Sequence, residues 1–223
     1  MNRANAEAGT DVISFNIDAG GAQTIAVTSA LPTITDPVLI DGTTQPGYAG
    51  TPVIEVDGAA AGADVDGLVF GIGGGSSTIR GLAVNRFSRD GIRIFADDVV
   101  VESSYIGLAL DGATDRGNGL IGIEVVGASG TRIGTDADTG NGNVISGNGQ
   151  HGISVNGGSP TAPVLGTVVG GNLIGTDASG TAAVGNASYG VFLNATTQGA
   201  QIGGSLPSQR NVISGNIFGF VSA

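Results

Sequence analysis

The sequence predicts an all-β protein, a parallel β-helix of about six or more coils with three short strands each. Apolar residues alternate with other residues in runs of three to five, and Gly, Asn, Asp and Ser separate the runs. This is the pattern of short strands joined by turns. The runs also recur along the chain at near-regular intervals, which indicates stacked repeats.

The repeats are visible as identical and as similar segments. The hexapeptide Asn-Val-Ile-Ser-Gly-Asn occurs at 143–148 and again at 211–216. A glycine followed by an apolar, a variable and an apolar residue begins at Gly67, Gly91, Gly122, Gly152 and Gly190, and more loosely at Gly219. Two further apolar runs follow in most units, for example Val99–Val101 and Tyr105–Ile106 after Gly91. Stacked coils would bury their inward Val, Ile and Leu in one core, which a single coil cannot do.

Composition excludes several other classes of protein. The chain has 223 residues, 42 glycines, no cysteine and a net charge of −11, and all of its basic residues are arginine. Without a glycine at every third position it is not a collagen, and without cysteine it has no thiol chemistry or disulfide scaffold. Its acidity argues against nucleic acid as a partner. No apolar run approaches the ~18 residues that membrane insertion needs.

We expect one domain over residues 1–223. Residues 1–66 would form N-terminal strands and irregular coils, and residues 67–223 the regular coils. No signal peptide is recognisable after Met1. The last residues, Asn216 to Ala223, form an apolar strand-like run without a polar cap, so we expect the chain to be a fragment of a longer protein.

Three segments resemble the repeats of a known group of proteins: Leu39 to Gly47, Asn172 to Gly180 and Arg210 to Asn216. They look like the right-handed parallel β-helix repeats of large bacterial surface and secreted proteins, which share the pectin-lyase-like fold. The resemblance implies a right-handed solenoid and an extracellular or cell-surface location. It also implies that a sugar polymer would bind to a strand face. The coil from Gly91 departs from its type, because Ser104 stands where the asparagine of Asn172 would be.

The repeat frame predicts which residues share one outward face. If the first and third residues after each repeat glycine point inward, the second points outward. The outward column is then Val69, Arg93, Glu124, Ser154, Phe192 and Val221. Since neighbouring coils lie about 4.8 Å apart, Arg93 and Glu124 should be direct neighbours. Asp90, His151 and Tyr189 precede repeat glycines and should lie along the same edge.

These residues are the candidate binding and catalytic groups. A uronate lyase or epimerase needs a cation for the carboxylate and a base for the C5 proton. Arg93 is the only cation in the column and is the candidate cation, with Asp90 and Glu124 as further substrate-binding candidates. His151 or Tyr189 would be the base. The competing interpretation is an Arg93–Glu124 ion pair that only joins two coils, with His151 in a turn.

We predict no cofactor, with Ca²⁺ in aspartate-rich turns as an open alternative. Those turns contain Asp111 with Asp115, Asp136 with Asp138, and Asp177. Their carboxylates could bind Ca²⁺ or cap the turns, and none matches a calcium-binding repeat. The adjacent pair Asp97-Asp98 is likewise a turn before Val99. The buried asparagines Asn85, Asn143, Asn172 and Asn211 should stack coil on coil.

The predicted function is a non-catalytic extracellular or cell-surface module, structural or adhesive, with glycan binding along one face left open. The alternative is a carbohydrate-active enzyme, a polysaccharide lyase or uronate epimerase acting on an acidic polysaccharide. A single histidine and the absence of lysine favour the first. Because strand edges are unpaired at both ends of such a helix, we also expect end-to-end self-association.

Overall fold

The computed structural model describes residues 1–7, 9–18, 20–135, 142–157 and 163–222. Within these ranges the chain forms 22 strands and four short 3₁₀ turns, at Ala4–Ala6, Gly42–Thr44, Ile72–Gly74 and Pro207–Gln209. The strands in chain order are β1 (Asp11–Ser14), β2 (Gln23–Ala26), β3 (Val38–Asp41), β4 (Ile54–Asp57), β5 (Leu68–Phe70), β6 (Thr78–Arg80), β7 (Leu82–Asn85), β8 (Ile92–Ile94), β9 (Val100–Glu102), β10 (Tyr105–Ile106), β11 (Ile123–Val126), β12 (Arg132–Gly134), β13 (Val144–Ile145), β14 (Ile153–Asn156), β15 (Val164–Leu165), β16 (Val168–Gly170), β17 (Leu173–Ile174), β18 (Tyr189–Leu193), β19 (Thr197–Gln198), β20 (Gln201–Ile202), β21 (Val212–Ile213) and β22 (Phe218–Ser222).

The strands form three long parallel sheets that run the length of the solenoid. Sheet A has the order β1-β3-β6-β9-β12-β16-β20, and sheet B the order β2-β4-β7-β10-β13-β17-β21. Sheet C has the order β5-β8-β11-β14-β18-β22, and β15 pairs separately with β19. Successive strands of the chain alternate between sheets, so each circuit from β3 onward adds one strand to each of the three sheets. The fold is therefore the all-β parallel β-helix that the repeats predict.

The register in sheet C is also the predicted one. Val69, Arg93, Glu124, Ser154, Phe192 and Val221 are paired in succession across neighbouring strands. Their neighbours in sequence point inward, and Ile92, Ile123, Ile153 and Val191 are fully buried. The exposure expected for Arg93, Glu124 and Ser154 at this outward position is not found. Ser154 is buried, because its small side chain lies between the larger Glu124 and Phe192 of the adjacent coils. The side chains of Arg93 and Glu124 are only 25% and 13% exposed, because they pair with each other.

Two ladders of buried asparagines support the turns. In the first, Asn143 and Asn172 each donate their backbone and side-chain N–H groups to the Oδ1 of the asparagine in the next coil, ending at Asn211. Ser104 takes the preceding position and donates its backbone N–H to Asn143 Oδ1 at 3.0 Å. Asn85 does not belong to this ladder. It is the last residue of β7, where it pairs in register with Asp57, and its side-chain N–H donates to Glu55 Oε1 at 2.8 Å.

The second ladder was not predicted. It runs through Asn118, Asn148, Asn186 and Asn216 with the same double donation, and its side-chain N···O distances are 2.8 to 3.0 Å. Such bonds satisfy backbone N–H groups that the turns would otherwise bury without a partner. The ladders fix the coil-to-coil spacing at two corners and therefore hold the sheet C face at a regular spacing.

None of the helical segments in the described part of the chain has the length and apolar character that a membrane-spanning helix requires.

Candidate functional site

The candidate site is the outward face of sheet C, where a charged cluster adjoins an aromatic cluster. Short parallel strands place one outward side chain per coil on this face. The charged cluster is centred on Arg93 of β8 and contains Asp66, Asp90 and Glu124. The aromatic cluster contains His151, Tyr189, Phe192 and Phe218. All five residues proposed from the sequence therefore lie on this face or along its edge.

Arg93 is surrounded by carboxylates. Its Nε lies 2.9 Å from Glu124 Oε2 and 3.9 Å from Asp90 Oδ2, and its Nη1 lies 3.4 Å from Asp66 Oδ2. The guanidinium also stands over the ring of Phe95, 5.1 Å from its centroid. Glu124 is held in turn by Asn156, which donates to its Oε1 at 2.9 Å. The positive charge of Arg93 is thus already neutralised within the protein.

Asp90 is the most buried charged residue of the cluster. Its side chain is only 2% exposed, and its Oδ1 accepts the backbone N–H of Ile121 at 3.0 Å. Burial raises the pKa of Asp90 to about 7, and the neighbouring Glu124 and Asp66 carboxylates act in the same direction. Asp90 is therefore a carboxyl group that can gain and lose a proton near neutral pH.

His151 lies immediately before β14 and Tyr189 on β18, on the two coils that follow the coil of Glu124. The backbone N–H of Tyr189 points to His151 Nδ1 at 3.3 Å. The imidazole stacks on Phe192 with ring centroids 5.1 Å apart and planes 7° from parallel. Burial lowers the pKa of His151, and the attraction of Glu124 opposes this only in part. The imidazole is therefore neutral at pH 7.

The candidate base and the candidate cation are far apart along the helix axis. Arg93 lies on β8 and His151 immediately before β14, with β11 between these strands. Two coil spacings separate them by about 10 Å, and three separate Arg93 from Tyr189 by about 14 Å. One sugar residue would have to reach both groups for proton abstraction beside a bound carboxylate. The geometry of the face is more suited to binding along its length.

Five members of the face were not singled out from the sequence as site residues: Asp66, Phe95, Asn156, Phe192 and Phe218. Phe192 belongs to the outward column, and Phe218 precedes Gly219. Asp66 precedes Gly67 as Asp90 precedes Gly91, so the same argument applied to it. Phe95 and Asn156 lie two positions beyond Arg93 and Ser154, and a period of two places them on the same face. Extending the outward positions by two residues along each strand identifies both.

The described aspartate-rich turns hold their carboxylates by hydrogen bonds from the protein. Asp111 accepts the backbone N–H groups of Ala113 and Thr114, and Asp177 accepts those of Thr181 and Ala182. Thr114 and Ser179 also donate to them, and these bonds lower the pKa of both carboxyl groups. Asp136 and Asp138 lie outside the described residues. Among the described residues, no three His, Asp or Glu side chains form a group suited to a metal ion.

Comparison with known proteins gave no match, either to a family model or to a curated protein. The assignment of this β-helix to the pectin-lyase-like type therefore stays a prediction from the repeat motifs.

Proposed function

We propose that this protein is a non-catalytic β-helix module of the pectin-lyase-like type, located outside the cell or on its surface. Its role is structural or adhesive, and the outward face of sheet C contacts a polysaccharide. The observation that supports this most directly is the state of Arg93, whose guanidinium is enclosed by the carboxylates of Asp66, Asp90 and Glu124. Lyase or epimerase chemistry needs a free cation next to a base, and Arg93 is already paired with carboxylates. The face is therefore better suited to adhesion than to reaction with a uronate.

The aromatic cluster supports the choice of a sugar polymer. His151, Tyr189 and Phe192 are half-buried and lie within 5.8 Å of one another by ring centroids. Such rings present a flat apolar surface together with polar edges, which matches the apolar face and the hydroxyl groups of a pyranose. Neighbouring coils lie about 4.8 Å apart, so successive sugars of one chain would meet successive coils.

The alternative function is a polysaccharide lyase or uronate epimerase. The observation that favours it is Asp90, a carboxyl group with a pKa of about 7 beside Glu124 and Arg93. Groups that titrate near the working pH are suited to general acid–base catalysis. In this alternative, Asp90 would exchange a proton with the substrate that Arg93 helps to bind, and His151 or Tyr189 would act as the base.

An assay on a panel of acidic polysaccharides separates the two functions. The absorbance of unsaturated uronates would report lyase activity, and exchange of the C5 proton with deuterium would report epimerase activity. We expect neither for the wild-type protein. Turnover that disappears in His151→Ala or Tyr189→Phe, with binding of the polysaccharide retained, would establish the enzyme instead.

A test of binding completes the experiment. Retention on insoluble polysaccharides is expected for the wild-type protein and is expected to weaken in Phe192→Ala. The matched control is Leu165→Ala, which truncates an exposed apolar side chain on β15, outside sheet C. A protein that binds no polysaccharide at all would contradict the adhesive role.

A further inference from the structure

A groove of about 450 Å³ runs along the corner where sheet C turns toward sheet A. Three successive coils contribute to it, through the segments that follow β5, β8 and β11. Phe95 and Val126 form its apolar floor, and Ile72 stands at its side with 87% of its surface exposed. Asp97 and Asp98 lie on its rim. Apolar side chains from three coils thus line one groove, and concave sites with an apolar lining are common in ligand binding.

The groove is continuous with the charged cluster of sheet C. Phe95 lies in the groove and also under the guanidinium of Arg93. Taken together, groove and cluster contain five carboxyl groups, those of Asp66, Asp90, Asp97, Asp98 and Glu124, and two cations. The cations are Arg93 and Arg89, and Arg89 pairs with Asp66 at 3.2 Å. The whole chain carries a net charge of −11. An anionic polymer would therefore be repelled here and a cationic one attracted.

We infer that the groove binds a glycan whose sugars carry protonated amino groups. This inference rests on the proposed function, a polysaccharide-binding face, and specifies a cationic glycan, in contrast to the acidic polysaccharide of the alternative enzyme. The sugar rings would lie on Phe95 and Val126, with ammonium groups at the carboxylates of Asp97 and Asp98. Asp97 Oδ1 accepts the backbone N–H of Ser129 at 2.7 Å, a bond that fixes the position of this carboxylate beside the groove.

The backbone around the groove favours a glycan over an extended peptide. β8 pairs with β5 and β11, and β11 pairs with β8 and β14. Both strands are therefore hydrogen-bonded on both sides, and neither offers a free edge to which a peptide could add as a strand. Gly127 leaves open space at the groove, since a Cβ atom there would meet nothing within 4 Å. A ring-shaped ligand can thus approach the floor closely.

Glycans of positive, neutral and negative charge test the inference. Calorimetric titration would compare a chitosan hexamer, its fully N-acetylated counterpart and an oligogalacturonate at about pH 6, where the free amines are protonated. We expect the chitosan hexamer to bind at least about tenfold more tightly than the acetylated one, and the oligogalacturonate not to bind. Raised salt should weaken the binding of chitosan, because the charges are exposed.

Variants locate the binding in the groove. Asp97→Asn combined with Asp98→Asn should weaken chitosan binding at least about tenfold. Asn tolerates the left-handed backbone of Asp98, whose φ is 57°. The control is Asp111→Asn combined with Asp115→Asn, which removes the same charge from a turn that follows sheet B and should leave the affinity unchanged.

The possible failures are distinguishable. Equal affinity for the acetylated and free-amine hexamers, or binding of the oligogalacturonate alone, would overturn the inference that the ligand is cationic. Either result would still agree with a polysaccharide-binding face. Binding of polylysine with none of the glycans would identify a peptide surface and overturn both proposals. No binding of any glycan in this titration or in the retention test would overturn the proposed function itself.

Discussion

The buried carboxyl group of Asp90 faces two other carboxylates and one guanidinium on the outward side of sheet C. Its folded-state pKa of about 7 lies above the ~3.9 of an unfolded aspartate. Between these two values the folded protein keeps a proton that the unfolded chain has released. The free energy of unfolding must therefore fall as the pH rises through this window.

Asp90→Asn should remove this dependence on pH. Asparagine keeps an oxygen for the Ile121 N–H and carries no charge at any pH. At about pH 8 we expect the variant to be more stable than the wild-type protein by on the order of 2–4 kcal/mol, and at about pH 4 nearly equal to it. Urea unfolding at both pH values measures the difference. Asp64→Asn, at an exposed site, is the control, and a variant that is less stable than wild type at pH 8 would contradict the assigned pKa.

Ile123 tests the register of the same strand. Its side chain is fully buried in the core, whereas Val126, three residues later, is half-exposed on the outward face. Ile123→Ala should cost roughly 2–5 kcal/mol, because it removes core contacts and leaves a cavity. Val126→Ala should cost under about 1 kcal/mol. Chemical denaturation of both variants provides the comparison, and similar losses would show that the alternation is misassigned.

Among the structural elements, the strands of sheet C could be predicted and the turns could not. A glycine followed by alternating apolar residues defines both the strand and its inward side, as at Gly122 to Val125, whose apolar side chains are fully buried. Asn118 and Asn186, by contrast, look in sequence like ordinary turn residues. Their role depends on Asn148 and Asn216 lying directly above them in space. Residues 30 or more positions apart must be aligned before such a ladder becomes visible.

The candidate site, too, could be predicted from the sequence only in part. The outward position of Arg93 and its pairing with Glu124 follow from the period of two. The burial of Asp90 does not, because it depends on how the turn at Ile121 covers it. The groove beside Phe95 is formed by turns of three coils, and no local pattern predicts its shape.

The second asparagine ladder should be a major source of stability. Asn148 accepts two hydrogen bonds from Asn118 and donates two to Asn186, and it is fully buried. Asn148→Ala leaves the Asn118 donors without their acceptor at a cost of ~1–3 kcal/mol for each buried group. We expect a total loss of at least about 3 kcal/mol by urea unfolding. The exposed Asn16→Ala is the control, and a loss below about 1 kcal/mol would mean that water replaces the ladder.

The arginines act as a second kind of link between coils. Arg80, Arg86, Arg89, Arg93, Arg116 and Arg132 each pair with a carboxylate more than twenty residues away. A planar guanidinium can bond two acceptors at once, which lysine cannot do in the same geometry. This explains why the basic residues that span neighbouring coils are arginines.

At the scale of the whole molecule, the unpaired edges of the terminal strands should promote association of the 223-residue chain. In the described structure, β22 pairs with β18 on one side only, and Phe218 and Phe220 on it are half-exposed. Open parallel edges with apolar side chains favour pairing with another molecule. We expect sedimentation velocity to show association that increases with concentration and decreases in Phe220→Asp. Leu165→Asp, on the side of the solenoid, is the control. A monomer at every concentration would contradict this expectation.

The central claim is that the outward side of sheet C and its adjoining groove form a binding face for a cationic glycan. Backbone amide NMR of the labelled protein during titration with a chitosan hexamer tests it at the level of single residues. We predict chemical-shift changes that cluster at Phe95, Asp97, Asp98, Val126 and Gly127 and that saturate together. Changes confined to the outward faces of sheets A or B, or no change at all, would contradict it.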